Sequence, residues 1–299
     1  MDKFVKLGQD MVLLWSKYKV MYWAGIWNTL KLAFLATLIG CFIGLLCGVL
    51  NTIPYTKKDP LPKRFLLKLL RIIIRIYVEV FRGTPMVLQS VFIYYGLPYF
   101  SNNALRFDNI FAAALLIVAI NTGAYMAESV RGGIISIDPG QTEGAKAIGM
   151  THVQTMTSVI LPQAFRNILP QVGNNFIINI KDTSVMFVIG FVEFFGVHRN
   201  IVGNNYMYFQ SAAIEMLGYL TMTLVFSFVL RRVERLLAGP SSYKLAAALP
   251  RAMAAGTYRH PKKGHAPEDR NREYRERLKK EERERLRQAP KQGQNRGGR

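Results

Sequence analysis

The sequence predicts an all-α integral membrane protein with about five transmembrane helices. Half of the 299 residues are apolar. Several uncharged stretches are long enough to cross, or nearly cross, a bilayer core of about 30 Å at about 1.5 Å per helical residue. The net charge is +20, and most of the excess lies in the loop 57–82 and in the tail beyond Arg231. Such basic segments are typical of the cytoplasmic side of a membrane.

The apolar runs and the charges divide the chain into three parts. An N-terminal segment 1–19 precedes a membrane domain 20–238, and a basic, low-complexity tail 239–299 follows it. Five spans place the two termini on opposite sides of the membrane. Because basic loops are retained inside, we expect a periplasmic N-terminus and a cytoplasmic tail. The predicted spans are about 22–50, 70–99, 109–130, 167–192 and 209–232.

The first span contains small residues at a helical spacing. The stretch from Leu32 to Leu50 carries no charge, and Gly40, Gly44 and Gly48 recur every four residues. In a helix these glycines form a smooth ridge that another helix can approach closely. That helix belongs either to the same chain or to a second subunit. Both cysteines also lie in this span, where we expect neither a disulfide nor a metal site.

The second span begins with a charged approach. Four charged residues repeat at spacings of four, four and three, which places them in one stripe along a helix. They are Arg71, Arg75, Glu79 and Arg82. This polar stripe cannot face lipid. The third span, 109–130, carries no charge until Glu128 in its last turn.

The fourth span is interrupted by Lys181 and Asp182. An adjacent pair of charges is costly against lipid, so we expect the pair to face a cavity, another helix or the aqueous interface. The fifth span carries Glu215 near its start and ends at Arg231 and Arg232, whose side chains can reach the interface.

A polar loop between the third and fourth spans is too hydrophilic to be a sixth span. We predict a helix that is capped by Asp138, begins at Pro139 and has Gln141 placed to complete a capping box. Gly149 should end this helix after about three turns. A second helix should begin near Thr151 and end around Leu161, because Pro162 interrupts the backbone hydrogen bonding.

This loop resembles the cytoplasmic EAA loop of ABC importer permeases, which has the pattern Glu-Ala-Ala, three residues, Gly, nine residues, Ile-x-Leu-Pro. The sequence has Glu143-Gly144-Ala145, then Gly149, then Val159-Ile160-Leu161-Pro162. Two positions depart from the pattern, Gly144 and Val159, and both keep a small or apolar residue. We predict a loop of 138–162 with this role.

Four further motifs resemble permeases for polar amino acids, and they occur in the family's order from about residue 25 to 237. They are Arg82-Gly83-Thr84-Pro85, Phe92-Ile93-Tyr94-Tyr95-Gly96, Tyr125 to Gly133 with Glu128 and Arg131, and Lys181-Asp182-Thr183-Ser184. The resemblance implies the type I ABC importer architecture, also called the MetI-like permease fold. It also implies a channel-forming subunit of the inner membrane that takes up a polar amino acid.

In such permeases the loop docks in a groove of a separate ATPase. The resemblance therefore implies a cytoplasmic ATPase dimer, a second permease subunit and a periplasmic amino acid-binding protein as partners within the lipid bilayer. The implied coupling residues are Glu143, Gly144, Ala145, Gly149, Leu161 and Pro162.

The sequence offers no catalytic or metal-binding motif. It has no G-x-x-x-x-G-K-[ST] phosphate loop, so we expect no cofactor in this chain and ATP on the partner ATPase. The four histidines are scattered at spacings that do not suggest a metal site. An alternative function rests on the basic tail, which could bind RNA or acidic lipid rather than remain a solvated appendage. Nucleic acid is nevertheless not an expected partner.

Polar residues inside the spans are candidates for the translocation path. Each could instead be a satisfied hydrogen bond between helices, and the sequence leaves both interpretations open. The candidates are Gln89, Asn121, Thr122, Asp182, Thr183 and Ser184.

Overall fold

A computed structural model describes residues 2–55 and 59–237, and the regular elements of these residues are all helical. The α-helices are α1 Asp2–Thr52, α2 Leu61–Gly83, α3 Met86–Val91, α4 Leu97–Phe100, α5 Ile110–Ile135, α6 Pro139–Ala147, α7 His152–Thr155, α8 Leu161–Asp182, α9 Phe194–Asn205 and α10 Tyr208–Leu237. Two π-helical segments, Phe92–Gly96 and Met156–Ile160, and one 3-10 helix, Thr183–Ile189, lie between them. The predicted tail 239–299 lies outside the described residues.

The first helix is much longer than the predicted first span. It runs without a break for 51 residues from Asp2 to Thr52, so the segment 1–19 and the span 22–50 share one helix from residue 2 onward. No proline occurs before Pro54, which disfavours helical backbone in the residue preceding it. The helix therefore ends just before this proline.

The glycine ridge of α1 packs against α5 of the same chain. A Cβ atom on Gly44 would lie 2.7 Å from the carbonyl carbon of Met126 and 2.8 Å from the backbone nitrogen of Ala127. Gly40 and Gly48 are equally close to Thr122 and Val130. Of the two alternatives that the sequence left open, the described residues thus form the contact within the chain.

The second predicted span is not one helix. Thr84 has extended backbone, with φ −121° and ψ 147°, and it separates α2 from α3. Pro85 explains the break, because proline has no N–H and forces the preceding residue out of the helical region. The side chain of Gln89 donates hydrogen bonds to the carbonyl oxygens of Phe81 and Thr84, at 3.0 and 2.8 Å. Gln89 therefore satisfies the carbonyls at the break.

The prediction that Pro162 ends a helix is wrong. α7 continues through the π-helical segment Met156–Ile160 into α8, and Pro162 lies in the first turn of α8. A π-helical turn changes the hydrogen-bond register just before the proline, where its missing N–H and its ring are then tolerated. α8 also continues past Pro170 to Asp182.

Three of the described helices are long and apolar enough to cross a membrane singly: α1, α5 and α10. A fourth span results if the bent pair 152–189 and 194–205 is counted as one. The second predicted span is not among these helices. The break at Thr84 divides it into α2, which carries the charged stripe, and the short α3. Large apolar side chains on α10, such as Leu224 and Phe228, are exposed, as expected of a surface that faces lipid.

Candidate functional site

The polar loop forms two helices that project from one end of the bundle. Asp138 caps α6, and its Oδ1 accepts a hydrogen bond from the backbone N–H of Gly140 at 2.7 Å. The predicted capping box with Gln141 does not form. Instead, the Gln141 side chain accepts a hydrogen bond from Gln163 Nε2 at 3.2 Å, which ties α6 to the first turn of α8. A contact across the fold thus replaces the local one.

Gly149 ends α6 with left-handed backbone at φ +85°. The backbone N–H of Gly149 donates to Lys146 O at 3.0 Å, and that of Met150 donates to Ala145 O at 3.1 Å. These bonds satisfy carbonyls that the helix end would otherwise leave free. The position therefore has the conformation that the sequence predicted for it.

α7 begins with the capping box that α6 lacks. Thr151 and Gln154 exchange side-chain and backbone hydrogen bonds at 2.8 and 3.3 Å. Sequence reasoning placed the helix start at Thr151 but missed the box, although Thr-x-x-Gln is its signature. Burial lowers the pKa of His152 in this turn, and the charge of Lys146 adds to the effect.

The loop presents an apolar tip between α6 and α7. Ile148 and Val153 are 79% and 68% exposed, and Glu143 and Gly144 are also exposed. Ala145 is buried against the rest of the loop. The other implied coupling residues, Leu161 and Pro162, lie in the first turn of α8 and are half-buried and exposed, respectively. Sequence reasoning did not single out Ile148 or Val153.

A cavity of about 520 Å³ lies between α3, α5 and α8, with both polar and apolar residues in its wall. Three of the six predicted path residues line it: Asn121, Thr122 and Asp182. We call it the amide cavity, because three asparagines line it together with one carboxylate. Its lining residues are Thr84, Pro85, Met86, Val87, Asn121, Thr122, Tyr125, Asn175, Ile178, Asn179, Asp182 and Val185.

Buried hydrogen bonds hold the back wall of the amide cavity. Asn179 Nδ2 donates to Thr37 Oγ1 at 2.8 Å and lies 3.0 Å from Thr122 Oγ1, which joins α1, α5 and α8. Asn121 Nδ2 donates to Gln89 Oε1 at 2.9 Å and so connects α5 to the break before α3. These side chains fix the helices around the cavity and also present polar surface to it.

The Lys181–Asp182 pair and the three remaining path predictions differ in position. Asp182 is half-buried and lines the cavity, whereas Lys181 is exposed. Among the described residues these two do not form an ion pair within 4.0 Å, so they act separately. Thr183 is fully buried and donates to Ile180 O at 3.0 Å. Gln89, Thr183 and Ser184 do not line the amide cavity.

Four polar lining residues were not predicted as path residues: Thr84, Tyr125, Asn175 and Asn179. A usable signal existed for two of them, because Asn175, Asn179 and Asp182 follow each other at spacings of four and three. That spacing places them on one face of a helix. No group of three or more potential metal ligands occurs within the described ranges.

A second cavity, of about 590 Å³, contains the polar stripe of α2. It lies between α1, α2 and α5, and all four charged residues of the stripe line it, with Arg71 half-buried and the other three exposed. We call it the basic cavity. Its lining residues are Cys47, Asn51, Tyr55, Lys68, Arg71, Ile72, Ile74, Arg75, Val78, Glu79, Arg82, Ala127, Glu128 and Arg131.

Long apolar helices, polar cavities between them and a projecting helix pair define a multi-pass membrane transport protein. Residues 60–239 match the family of binding-protein-dependent transport system inner membrane components. The chain belongs to this family, and it is a permease subunit. The match ends at residue 239, and none of the comparisons supports the alternative of RNA or lipid binding by the tail.

Similar proteins support the same assignment. The chain is 38% identical over 220 residues to the "Glutamine transport system permease protein GlnP" of Escherichia coli K12, covering 71% of this chain and 96% of that protein. It is 32% identical over 214 residues to the "Arginine transport system permease protein ArtQ" of Bacillus subtilis, covering 71% and 90%.

Solved structures have the same fold. The chain resembles a subunit of an amino acid ABC transporter, crystallised with histidines, with a TM-score of 0.65 and 38% identity, covering 75% of this chain and 97% of that chain. It also resembles a chain of the inward-facing MetNI methionine ABC transporter, with a TM-score of 0.60 and 19% identity, covering 74% and 98%. The fold is therefore that of a type I importer permease.

Proposed function

We propose that this permease subunit carries a polar amino acid through the amide cavity. The observation that carries the proposal is the position of Asp182, a half-buried carboxylate on the wall of a cavity that is also lined by three amides, three hydroxyl groups and several apolar side chains. Its carboxylate can pair with the α-ammonium group that every amino acid has. The Oδ1 of Asn175, which accepts no hydrogen bond among the described residues, can accept one from a polar side chain. The glutamine and arginine permeases among the relatives support this substrate class.

Transport requires that the amide cavity hold the substrate weakly. Asn121 and Thr122 already use their polar groups in bonds between helices, so they add few free donors or acceptors for the substrate. A site of this kind can bind and release on every cycle. Selectivity would then come mainly from a separate periplasmic amino acid-binding protein.

The projecting loop is the proposed point of coupling to the ATPase. The exposed tip at Ile148 and Val153 can pack in an apolar groove, with Glu143 and Gly144 at the edge of the contact. The hydrogen-bonded end of α6 at Gly149 and the capping box of α7 make the loop stiff enough to transmit a push. ATP would bind only to the partner, a cytoplasmic ATPase dimer.

The complete transporter would contain a second permease subunit, either identical or related. In this arrangement the amide cavities of two chains, each between α3, α5 and α8, would face each other and enclose one path. The complex would lie in the bacterial inner membrane. We place the N-terminus in the periplasm, and the loop 138–162 and the tail in the cytoplasm, because the basic segments require it.

Uptake by the reconstituted complex tests the substrate class. The permease, its ATPase and its binding protein in liposomes should accumulate a polar amino acid only with ATP inside. Asp182→Asn should lower uptake per molecule at least about tenfold, because a charge-assisted hydrogen bond is worth roughly 1.5–3 kcal/mol. Lys181→Gln is the matched control, since its side chain is exposed outside the cavity.

The two variants separate transport from folding. The amount of each protein in the membrane should equal that of the wild type, since neither residue forms an ion pair in the described structure. If Asp182→Asn inserted poorly but transported normally per molecule, Asp182 would be structural and the assignment of the path would be wrong.

Cysteine labelling tests the proposed orientation. In a chain without Cys41 and Cys47, a membrane-impermeant thiol reagent should modify a cysteine at Asn103 in intact spheroplasts but not one at Lys63. Inverted membrane vesicles should give the opposite pattern. Labelling of the cysteine at Lys63 in intact spheroplasts would contradict the orientation, and with it the docking of an ATPase on the loop 138–162.

A further inference from the structure

The basic cavity contains more positive charge than its acids can neutralise. Five cationic side chains line it, but only two carboxylates do, Glu79 and Glu128. Glu128 already forms a salt bridge with Arg131. Among the described residues, Glu79, Arg75 and Arg82 take part in no ion pair within 4.0 Å. A net positive charge therefore remains within the membrane domain.

Arg71 contributes an unsatisfied hydrogen-bond donor to the positive charge of the basic cavity. Its Nη2 donates to the carbonyl oxygen of Ile53, and its guanidinium lies over the ring of Tyr55, 4.6 Å from the ring centroid. Its Nε is buried and has no hydrogen-bond acceptor within the described residues. A half-buried guanidinium with a free buried donor can bind an anion at lower cost than one that is fully satisfied.

The basic cavity adjoins the amide cavity. Tyr125 lines the amide cavity, and the guanidinium carbon of Arg82 lies 5.6 Å from the centroid of its ring. Glu128 and Arg131 follow Tyr125 along α5 toward α6, so the basic cavity lies between the amide cavity and the projecting loop. A solute that leaves the amide cavity toward the loop would pass Arg82 first.

Arg75, Glu79 and Arg82 are exposed in the single chain. Unpaired charges within a membrane domain are stable only in contact with water, an anion or another charge. We propose that the basic cavity is an exit site that binds the carboxylate of the departing substrate. Arg82, Arg75 and Arg71 lie on one stripe of α2, so a carboxylate can pass from one guanidinium to the next toward the loop. The planar guanidinium suits this role, because it binds a carboxylate in two parallel hydrogen bonds.

The identity of the bound anion rests on the proposed function. The positive charge of the cavity does not. Cys47 lines the cavity and provides a native probe of its potential. In inverted vesicles without nucleotide and in a Cys41→Ser background, a negatively charged methanethiosulfonate should modify Cys47 faster than a positively charged one. After correction for their rates with a free thiol, the ratio should be about tenfold.

Two neighbouring variants should move this ratio in opposite directions. Arg75→Gln removes a cation and should lower the ratio at least about threefold, whereas Glu79→Gln removes an anion and should raise it by a similar factor. A general loss of structure would move both ratios in one direction. Lys63→Gln is the control for charge, because Lys63 lies on α2 outside the cavity and pairs with Asp59 at 2.7 Å.

Protection of Cys47 identifies the bound group. L-glutamine at millimolar concentration should slow the modification at least about threefold, and L-glutaminamide, which lacks only the carboxylate, should not. Arg75→Gln should abolish the protection. Equal modification by both reagents, no modification by either, or equal protection by the acid and the amide would each overturn the inference.

The outcomes also distinguish this inference from the proposed function. Protection by L-glutamine without uptake of any amino acid would contradict the proposed function and leave the exit site standing. Uptake of L-glutamine without protection of Cys47 would support the proposed function and overturn the exit site.

Discussion

Replacing Gly149 with valine should abolish coupled uptake while the chain still inserts into the membrane. Gly149 has φ +85°, where an L-residue with a Cβ is strained by roughly 1–2 kcal/mol and a β-branched residue by more. To avoid this strain the variant must change the turn between α6 and α7. The apolar tip at Ile148 and Val153 would then no longer match a groove in the ATPase. Copurification with the ATPase and ATP-dependent uptake measure the effect.

Gly144→Ala is the matched control for this prediction. A Cβ at Gly144 would meet no atom within 4 Å, and Gly144 lies inside α6, where alanine is the better helix former by about 1 kcal/mol. Alanine is also the usual residue of the EAA pattern there. The control should therefore assemble and transport as the wild type does. Normal uptake by Gly149→Val would show that the turn does not transmit the motion of the ATPase.

Most of the structure of the loop 138–162 could be predicted from residues at its helix ends. Asp138 caps α6, Gly149 ends it, and α7 begins after Thr151, because a cap or a left-handed residue acts within one turn of the helix end. The capping box at Gln141 failed where a contact across the fold intervened. Gln163 is distant in sequence, and its hydrogen bond to Gln141 could not be read from the loop alone.

Proline had opposite effects at two positions that the sequence does not distinguish. Pro85 separates α2 from α3, whereas Pro162 lies within a continuous helical segment. The difference depends on what satisfies the freed backbone groups. Gln89 does so after the break at Pro85, and a π-helical segment precedes Pro162. Neither arrangement follows from helix propensity.

The amide cavity was only partly predictable. Asn121, Thr122 and Asp182 were found because polar residues inside apolar spans are costly and therefore seldom without a role. Gln89 and Thr183 satisfied the same criterion, yet neither lines the cavity: Gln89 lies behind Asn121, to which it is hydrogen-bonded, and Thr183 bonds to the backbone of Ile180. Which polar residues face a cavity depends on the rotation of α3, α5 and α8 against each other, and the packing of these helices determines it.

Gly44→Ala should destabilise the membrane domain strongly. A Cβ at this position would lie 2.7 Å from the carbonyl carbon of Met126 and 2.8 Å from the nitrogen of Ala127, and both atoms belong to the backbone of α5. No side-chain rotation can relieve such a contact, so α1 and α5 must move apart. Overpacking of this kind costs about 1–3 kcal/mol, and the loss of the adjoining helix contacts adds to it. A lower thermal unfolding temperature in detergent measures the effect.

Gly8→Ala is the control, because Gly8 lies in the same helix and a Cβ there would meet no atom within 4 Å. It should leave the unfolding temperature unchanged or raise it slightly, since alanine favours the helix. The two variants add the same methyl group to α1, so a difference between them isolates the contact with α5. Because α5 supplies Asn121 and Thr122 to the amide cavity, uptake should fall with stability in Gly44→Ala only. Equal stability of the two variants would mean that α1 does not pack on α5 through its glycine ridge.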